Sequence, residues 1–495
     1  MRPPNTNCRL LGYLLPALLG LASGCTGFLD VDSEDQLSRA ELFSTLRGAD
    51  AAVTGLYFQL GAGYYQFRLP VYADLQGNMV PRAEEGNDPA ELNGIRRGLI
   101  RLHGQDVTPL LDDTGFGALY SQAYTLLFQA NDIIEALSLV ADGTPEQRAS
   151  LAAEAYAIRA IVHFDLVRLF AQAPGFTADA RHPGIVLIDG TPQTFDLPAR
   201  ATVAETYALI RADLERALAD LDPRFSVRSS AAPVWLTPTV VRGLLARVAA
   251  YANDWEACRE WADRCLAGSE RDLIPRAAYL ADWRAGTLGE MLWEIDLQQL
   301  TEADLNSDLL LQTPARIIGT NNEVPYLEVS PDLLAQYAPN DLRRELLERG
   351  PGGELLSAKW PLDTNAVRNT PILRLSEVYL LRAEANAELG NLEAALADYL
   401  VIHRRAVPEE GAAEPERTAA ALRAAIRAER RRELAFEGHH FYDLGRWGAD
   451  LERGDDCAAF LEACTLRYPD PRFILPLPFE AVLRNPNLIQ NPGYE

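Results

Sequence analysis

Lysine is almost missing from this chain of 495 residues. Lys359 is the only one, so arginine carries nearly all of the positive charge. The chain has 70 acidic residues against 46 basic ones, and its net charge is −24. Proteins that bind nucleic acid or lie on an anionic leaflet present a basic surface to the phosphates. The composition therefore argues against both kinds of partner.

Catalytic and metal-binding motifs are also missing. The sequence contains no nucleophile elbow, no HExxH and no phosphate-binding loop. A pair of carboxylates at glycosidase separation stays open as an alternative, because the chain has 70 acidic residues. We nevertheless predict a protein that is not an enzyme and that holds no cofactor or metal.

Cysteine is scarce, and four of the six cysteines form two pairs spaced i, i+7, which are Cys258 with Cys265 and Cys457 with Cys464. In a continuous helix this spacing separates the Cα atoms by about 10 Å. A disulfide needs less than about 7 Å. If the segments are helical, neither pair forms an internal bridge, and we expect buried thiols.

The chain has no apolar run that is long enough to span a membrane, the short apolar stretch near its start included. Residues 1–24 combine an arginine-bearing start with a short apolar stretch and predict an export signal peptide. The following Leu21–Cys25, LASGC, resembles a lipobox, with Ala22 where leucine is usual. Cys25 is then the acylated N-terminus of an anchored protein. The alternative is a secretory signal cut nearby, with Cys25 an incidental thiol.

Helical periodicity dominates the rest of the chain. It predicts single helices at 46–60, 119–139, 145–170 and 203–221, and helical pairs at 237–266 and 379–408. Both pairs resemble tetratricopeptide (TPR) hairpins. A single pair cannot bury its own apolar face, so such pairs must stack. We expect a mainly α fold of about four TPR-like helical pairs, with irregular excursions and short β segments.

Two irregular excursions, 61–110 and 267–369, interrupt the helical pattern. Segments of this length inside a repeat array are functional or form a subdomain. In the first, Tyr64 and Tyr65 are candidates for sugar stacking, although we slightly favour a role in capping the first helices. The second excursion is the preferred binding region, and its candidate ligand-binding residues are Trp283, Asn306, Asp308, Asn321, Asn322 and Tyr326.

Residues 429–448, ERRRELAFEGHHFYDLGRWG, concentrate charged and aromatic residues beside a glycine break at Gly438. Several side chains are of metal-ligand type, namely Glu433, Glu437, His439, His440 and Asp443. Their spacing differs from HExxH, and Gly438 disrupts the helical register that would converge them. We favour a structural helix end, with arginines and glutamates paired across neighbouring helices.

This stretch also carries a resemblance. RRRELAFEGHHFYDLGRWG resembles the C-terminal signature of the SusD/RagB family, and FILPLPFEAVLRNPNLIQNPGY at 473–494 resembles that family's closing segment. The resemblance implies a SusD-like domain over 25–495, anchored by lipid to the outer membrane and facing the exterior. It further implies that the protein binds a glycan or oligosaccharide and delivers it to a SusC-like TonB-dependent transporter.

Two alternatives to glycan capture stay open. Some members of the family bind peptides, so the ligand could be a peptide. TPR arrays also bind protein partners, so the chain could be a scaffold that has no small ligand of its own.

Overall fold

The computed structural model describes residues 38–65, 68–81, 94–108, 115–191, 196–225, 233–297, 327–350, 353–360, 369–408, 414–457 and 464–495. The predicted leader and Cys25 lie outside these ranges. Among the described residues the fold is mainly α-helical, as predicted, and its strands are short.

The first half of the described chain supplies α1 (Arg39–Leu42), α2 (Leu46–Gln59), α3 (Arg68–Leu75), α4 (Gly94–Gly104), α5 (Phe116–Ala136), α6 (Pro145–Phe170), α7 (Val203–Asp220) and α8 (Pro238–Tyr251). The second half supplies α9 (Trp255–Ala267), α10 (Arg276–Ala285), α11 (Pro331–Leu334), α12 (Leu375–Glu388), α13 (Leu392–Ala406), α14 (Ala419–Glu433), α15 (His440–Trp447) and α16 (Phe479–Arg484).

Eight short strands form four antiparallel pairs among the described residues. They are β1 (Met79–Pro81) with β3 (Leu327–Val329), β2 (Met291–Ile295) with β6 (Thr370–Arg374), β4 (Leu347–Arg349) with β5 (Leu355–Ser357), and β7 (Leu451–Glu452) with β8 (Thr465–Leu466). The first two pairs join distant parts of the chain, whereas β4–β5 and β7–β8 pair strands that are close in sequence.

The stack is built from antiparallel helical pairs, of which α6/α7, α8/α9 and α12/α13 have the most extensive contacts. Helices α2 and α5 pack against α6 on one side, and α14 packs against α12 and α13 on the other. Helix α6 begins at a capping box, in which Thr144 and Gln147 bond each other's backbone N–H groups. It is buried on nearly every face, as a central helix must be.

The pair α8/α9 forms where its sequence predicts. Asn253 adopts a left-handed conformation with φ of 57°, and the Asp254 side chain then accepts a hydrogen bond from the N–H of Ala257 to start α9. Cys258 and Cys265 are buried free thiols on the face of α9 that meets its neighbours, which confirms the prediction for this pair. Burial raises the pKa of the Cys265 thiol to about 12.

The prediction for the other cysteine pair is wrong. Cys457 and Cys464 form a disulfide, and their Cα atoms are 5.3 Å apart. The expectation assumed a continuous helix, whereas the described residues on either side belong to the antiparallel strands β7 and β8. An antiparallel pair brings sequence-separated residues side by side, so the helical distance does not apply.

The two excursions meet each other. Strand β1 of the first excursion pairs with β3 of the second, so that Pro81 lies opposite Leu327. The Ser330 N–H extends this contact by donating to the Asn78 carbonyl at 3.0 Å. The segments that flank the helical stack are therefore joined to each other as well as to the stack.

Candidate functional site

Glu433, at the end of α14, lies at the centre of a buried ion-pair cluster. Its carboxylate is 2.7 Å from Arg374, 2.6 Å from Arg405 and 3.0 Å from Arg343. Glu433 itself is fully buried. The three arginines come from separate elements (β6, α13 and the turn after Asp341), so one carboxylate holds three parts of the chain together.

The cluster continues through two more glutamates. Glu290 pairs with Arg374 at 2.7 Å and with Arg405 at 2.5 Å, while Glu437 pairs with Arg374 at 2.7 Å and with Lys359 at 2.6 Å. The Lys359 ammonium also donates to the carbonyl oxygens of Glu433 and Ala435 at 2.7 and 3.1 Å. All three of its protons are thus used.

The electrostatics fit a structural role. Burial alone would raise the pKa of Glu433, but the neighbouring arginines hold it well below its usual range. The pKa of Glu377 on α12 is also lowered. Burial would raise this pKa, but Arg247 and His439 outweigh burial and lower it to about 2. Their lowered pKa values keep both carboxylates ionised at neutral pH, each paired with arginine. They confirm the interpretation of 429–448 as a helix end held by ion pairs.

The side chains of metal-ligand type in residues 429–448 contact different partners. Asp443 pairs with Arg430 and Arg446, at 3.2 and 2.7 Å, and His439 lies 3.9 Å from Glu377. The residues that the structure describes contain no group of three or more His, Cys, Asp or Glu side chains placed to hold a metal ion.

Asp74 on α3 anchors the loop that follows α14. Its carboxylate accepts hydrogen bonds from the N–H groups of Phe436 and Gly438, at 3.1 and 2.6 Å. Both loop residues have positive φ, 69° and 79°. Burial raises the pKa of Asp74 to about 6, although these hydrogen bonds oppose the rise. The first excursion is in this way fixed to the end of α14.

The described ligand candidates lie in the core. Trp283 is 1% exposed, with the Lys359 ammonium 4.6 Å from its ring centroid. Tyr64 and Tyr65 are 1% and 6% exposed, and the Tyr65 hydroxyl bonds Asp165. None of the three offers a ring face to solvent. Burial favours the capping alternative for the tyrosines and puts Trp283 in the core, while its ligand-binding role stays a prediction. Asn306, Asp308, Asn321, Asn322 and Tyr326 lie outside the described residues, so their role stays a prediction.

A groove of about 700 Å³ lies between the N-terminal half of α5 and the closing segment of the chain. Its apolar wall combines aromatic rings with prolines and leucines, contributed by Phe116, Tyr120, Tyr124, Leu475, Pro476, Leu477, Pro478 and Phe479. Small-molecule sites typically occupy roughly 300–1,000 Å³ and have mostly apolar walls with a few polar groups. The size and the lining of the groove match this description.

Polar groups sit at the rim of the groove. Thr108 and Ser121 present hydroxyls, and the Glu480–Arg484 pair, 3.2 Å apart, lies on α16 with both side chains largely exposed. The Phe479 ring is 42% exposed beside them. An exposed aromatic ring next to hydroxyl, carboxylate and guanidinium groups is a combination that can stack on an apolar ligand face and bond its polar edges.

The closing segment is fixed firmly enough to form one wall. Asn491 donates to the carbonyl oxygens of Phe170 and Leu475, at 2.9 and 2.7 Å, and it accepts from Arg200 at 2.7 Å. The Tyr494 hydroxyl donates to the carbonyl of Ile474 at 2.9 Å. The terminal segment is therefore docked on the body, as segments that stay ordered at a chain end must be.

Two family models match the chain. The SusD family model matches residues 363–494, which include residues 429–448 and the closing segment, and a second model, described as starch-binding and associating with the outer membrane, matches residues 64–231. The chain belongs to the SusD/RagB family.

Curated relatives of this SusD/RagB chain span its length. It is 26% identical to SusD-like protein P2 of Formosa agariphila, over 95% of this chain and 97% of that protein. It is 22% identical to SusD-like protein P25 of the same organism, over 95% and 96%. The similarity thus extends well beyond the two matched regions.

Solved structures share the fold. A SusD superfamily protein of Bacteroides thetaiotaomicron superposes with a TM-score of 0.77 at 22% identity, covering 90% of this chain and all of that one. A SusD superfamily protein of Bacteroides vulgatus gives 0.76 at 26% identity, over 91% and 99%. A structure described as a putative sugar binding protein, also of B. vulgatus, gives 0.76 at 22%, over 91% and 99%.

The groove residues were not singled out by sequence reasoning. Helix α5 and the closing segment were each predicted, but their mutual contact joins parts of the chain that are far apart in sequence. Phe479 and Leu483 are large apolar residues of a short helix, and only the structure shows that both are exposed, at 42% and 64%. No helix of the described residues is long and apolar enough to cross a membrane.

Proposed function

We propose that this SusD/RagB protein is a surface lipoprotein that binds carbohydrate, most plainly an oligosaccharide, and delivers it to a SusC-like TonB-dependent transporter of the outer membrane. It acts by binding and not by catalysis. The observation that carries the proposal is the groove between α5 and the closing segment. Support comes from the matching family model described as starch-binding and from the neighbour described as a putative sugar binding protein.

The groove suits a sugar for two reasons. Sugar rings have apolar C–H faces that pack on aromatic rings, and Phe479 exposes such a ring at the groove edge. Their hydroxyls need donors and acceptors, which the Glu480 carboxylate and the Arg484 guanidinium supply at the rim. A peptide would use the same apolar wall with fewer bonds to the rim, so it stays the alternative ligand.

Two features support the proposed export and anchoring. LASGC at Leu21–Cys25 supplies the site for acylation, and residues 26–37 would then connect the lipid to the described body. The Cys457–Cys464 disulfide supports export, because structural disulfides persist in oxidising compartments outside the cytoplasm. If the protein is anchored by lipid and faces outward, the groove would lie on the outer side of the membrane, where nutrients arrive.

The test is direct binding by the soluble chain that starts at Thr26, titrated against glycan and peptide panels by calorimetry. Replacement of Phe479 by alanine should weaken a glycan hit by about two- to tenfold, as a stacking ring contributes about 0.5–1.5 kcal/mol. Phe176→Ala is the matched control, because Phe176 is 41% exposed and does not line the groove. Equal effects of the two replacements would contradict the groove as the site.

Other outcomes separate the remaining hypotheses. A hit that depends on Tyr326 or Asn321 but not on Phe479 would move the ligand to the second excursion. A peptide hit would favour the peptide-binding alternative. Co-purification with a transporter without any hit in either panel would favour the scaffold. Replacement of Cys25 by alanine should release the protein from outer-membrane fractions, and retention there would contradict the lipid anchor.

A further inference from the structure

Residues 453–457 follow strand β7 and contact both excursions, and Cys457 forms a disulfide with Cys464. The Arg453 N–H donates a hydrogen bond to the Cys464 carbonyl at 2.8 Å. The Cys457 N–H donates back to the Gly454 carbonyl at 3.1 Å. We call residues 453–457 together with Cys464 the knuckle.

One side of the knuckle holds the first excursion. The buried Arg453 guanidinium donates to the side-chain oxygen of Gln76 at 2.9 Å and to the carbonyl of His103 at 2.6 Å. Gln76 in turn donates to the carbonyl of Leu102 at 2.7 Å. Arg453 thereby connects the end of α3 to the end of α4, on both sides of β1.

The opposite side holds the second excursion. The N–H groups of Gly454 and Asp455 donate to the Asp332 carboxylate at 2.7 and 2.9 Å. The buried Asp456 carboxylate accepts from the Ser330 hydroxyl and from the Asp332 N–H. These contacts fix the start of α11, directly after β3.

The strands between these anchors are short. β1 and β3 contribute three residues each, and an isolated two-stranded ladder of that length is marginal in water. The knuckle adds hydrogen bonds on both sides of this ladder. We propose that the Cys457–Cys464 disulfide is a covalent clasp that holds the two excursions in register through the contacts of Arg453 and Asp456, and that its reduction releases them.

The opening step is thiol–disulfide exchange with an external dithiol. A thiolate of the dithiol attacks one sulfur and breaks the Cys457–Cys464 bond, and the second thiol of the reductant then closes its own disulfide. The exchange transfers two electrons and two protons to Cys457 and Cys464, which become free thiols. The knuckle then loses its covalent closure, and Arg453 and Asp456 are no longer held opposite their partners.

The test is hydrogen exchange of the soluble chain from Thr26, oxidised, reduced with a dithiol, and as Cys457→Ser/Cys464→Ser. Exchange in peptides covering β1 and β3 should increase by about tenfold or more in both altered forms. Exchange in α8 and α9 should not change. Cys258→Ala/Cys265→Ala is the matched control, since it removes the other two described thiols and retains the disulfide.

Single replacements with the disulfide intact separate the two sides. Arg453→Met should raise exchange around β1 more than around α11, and Asp456→Asn should do the reverse. Unchanged exchange at both strands, with thiol titration showing full reduction, would overturn the proposal. A uniform increase over the helical stack would also overturn it, because the disulfide would then support the whole fold and not the junction.

Discussion

Replacing Glu433 with glutamine is the sharpest test of the buried ion-pair cluster. The substitution keeps size and shape but removes one negative charge that faces Arg374, Arg405 and Arg343 at 2.6–3.0 Å. Every side chain involved is at most 6% exposed, so water cannot compensate. Breaking such a buried pair from one side costs about 3–5 kcal/mol, because the partner charge stays buried.

The assay is thermal and denaturant unfolding of the soluble chain. Unfolding entropy of about 2.1 cal/mol/K per residue gives about 1 kcal/mol/K for roughly 470 residues, so we expect Tm to fall by about 3–5 °C if unfolding is a single step. Glu393→Gln is the matched control, because Glu393 pairs with Arg417 at the surface, where both side chains are more than half exposed. Such surface pairs contribute about 0–1 kcal/mol.

The effects of Glu433→Gln and Glu393→Gln on stability can support or refute the role of the cluster. If Glu433→Gln and Glu393→Gln have equal and small effects, the cluster does not carry the free energy assigned to it, and the reasoning about burial is refuted. A large effect confined to Glu433→Gln supports the view that residues 429–448 are retained for structure and not for ligand contact.

Three further outcomes follow from burial and packing. Gly243→Ala should destabilise by about 1–3 kcal/mol in urea unfolding, since its Cβ would lie 2.5 Å from Leu373, whereas Gly55→Ala, with no atom within 4 Å, should stabilise by about 0.4–1 kcal/mol; equal signs would contradict the packing. Burial lowers the pKa of His163 to about 3, so between that value and the unfolded pKa of about 6.5 only the unfolded chain takes up the proton, and the free energy of unfolding decreases as the pH is lowered. His163→Asn should reduce that slope between pH 6 and 4 by up to about 1.4 kcal/mol per pH unit, and an unchanged slope would contradict a neutral buried ring. Trp283→Phe should lower Tm and leave ligand affinity unchanged, and weaker binding at unchanged Tm would restore its predicted role.

Local rules predicted much of the helical architecture. The capping box of Thr202 and Glu205 and the turn at Asn253 and Asp254 are present as the sequence indicates. These features depend on residues a few positions apart, so a sequence read in order contains the whole signal. His163 lies within an apolar helical run, which is typical of a core histidine, and its ring nitrogens meet the carbonyl of Arg159 and the N–H of Ile188.

Features that depend on distant partners were not predictable in this way. Trp283 resembles a ligand-stacking residue until Lys359 and Arg374 are placed within 4.6 and 5.5 Å of its ring. The Cys457–Cys464 bridge depends on an antiparallel pairing that the i, i+7 spacing does not reveal. The groove arises only when α5 meets the closing segment, a contact that no local pattern encodes.

The burial of Lys359 has a practical consequence for anyone who labels or immobilises this protein. It is the only lysine, it is 4% exposed, and its ammonium is bonded to Glu437 and two carbonyls. Burial lowers its pKa, yet the amine is shielded from reagents. In the soluble chain that starts at Thr26, amine-directed coupling should therefore react at the N-terminal amino group alone, giving one attachment point at the end where the lipid would otherwise be.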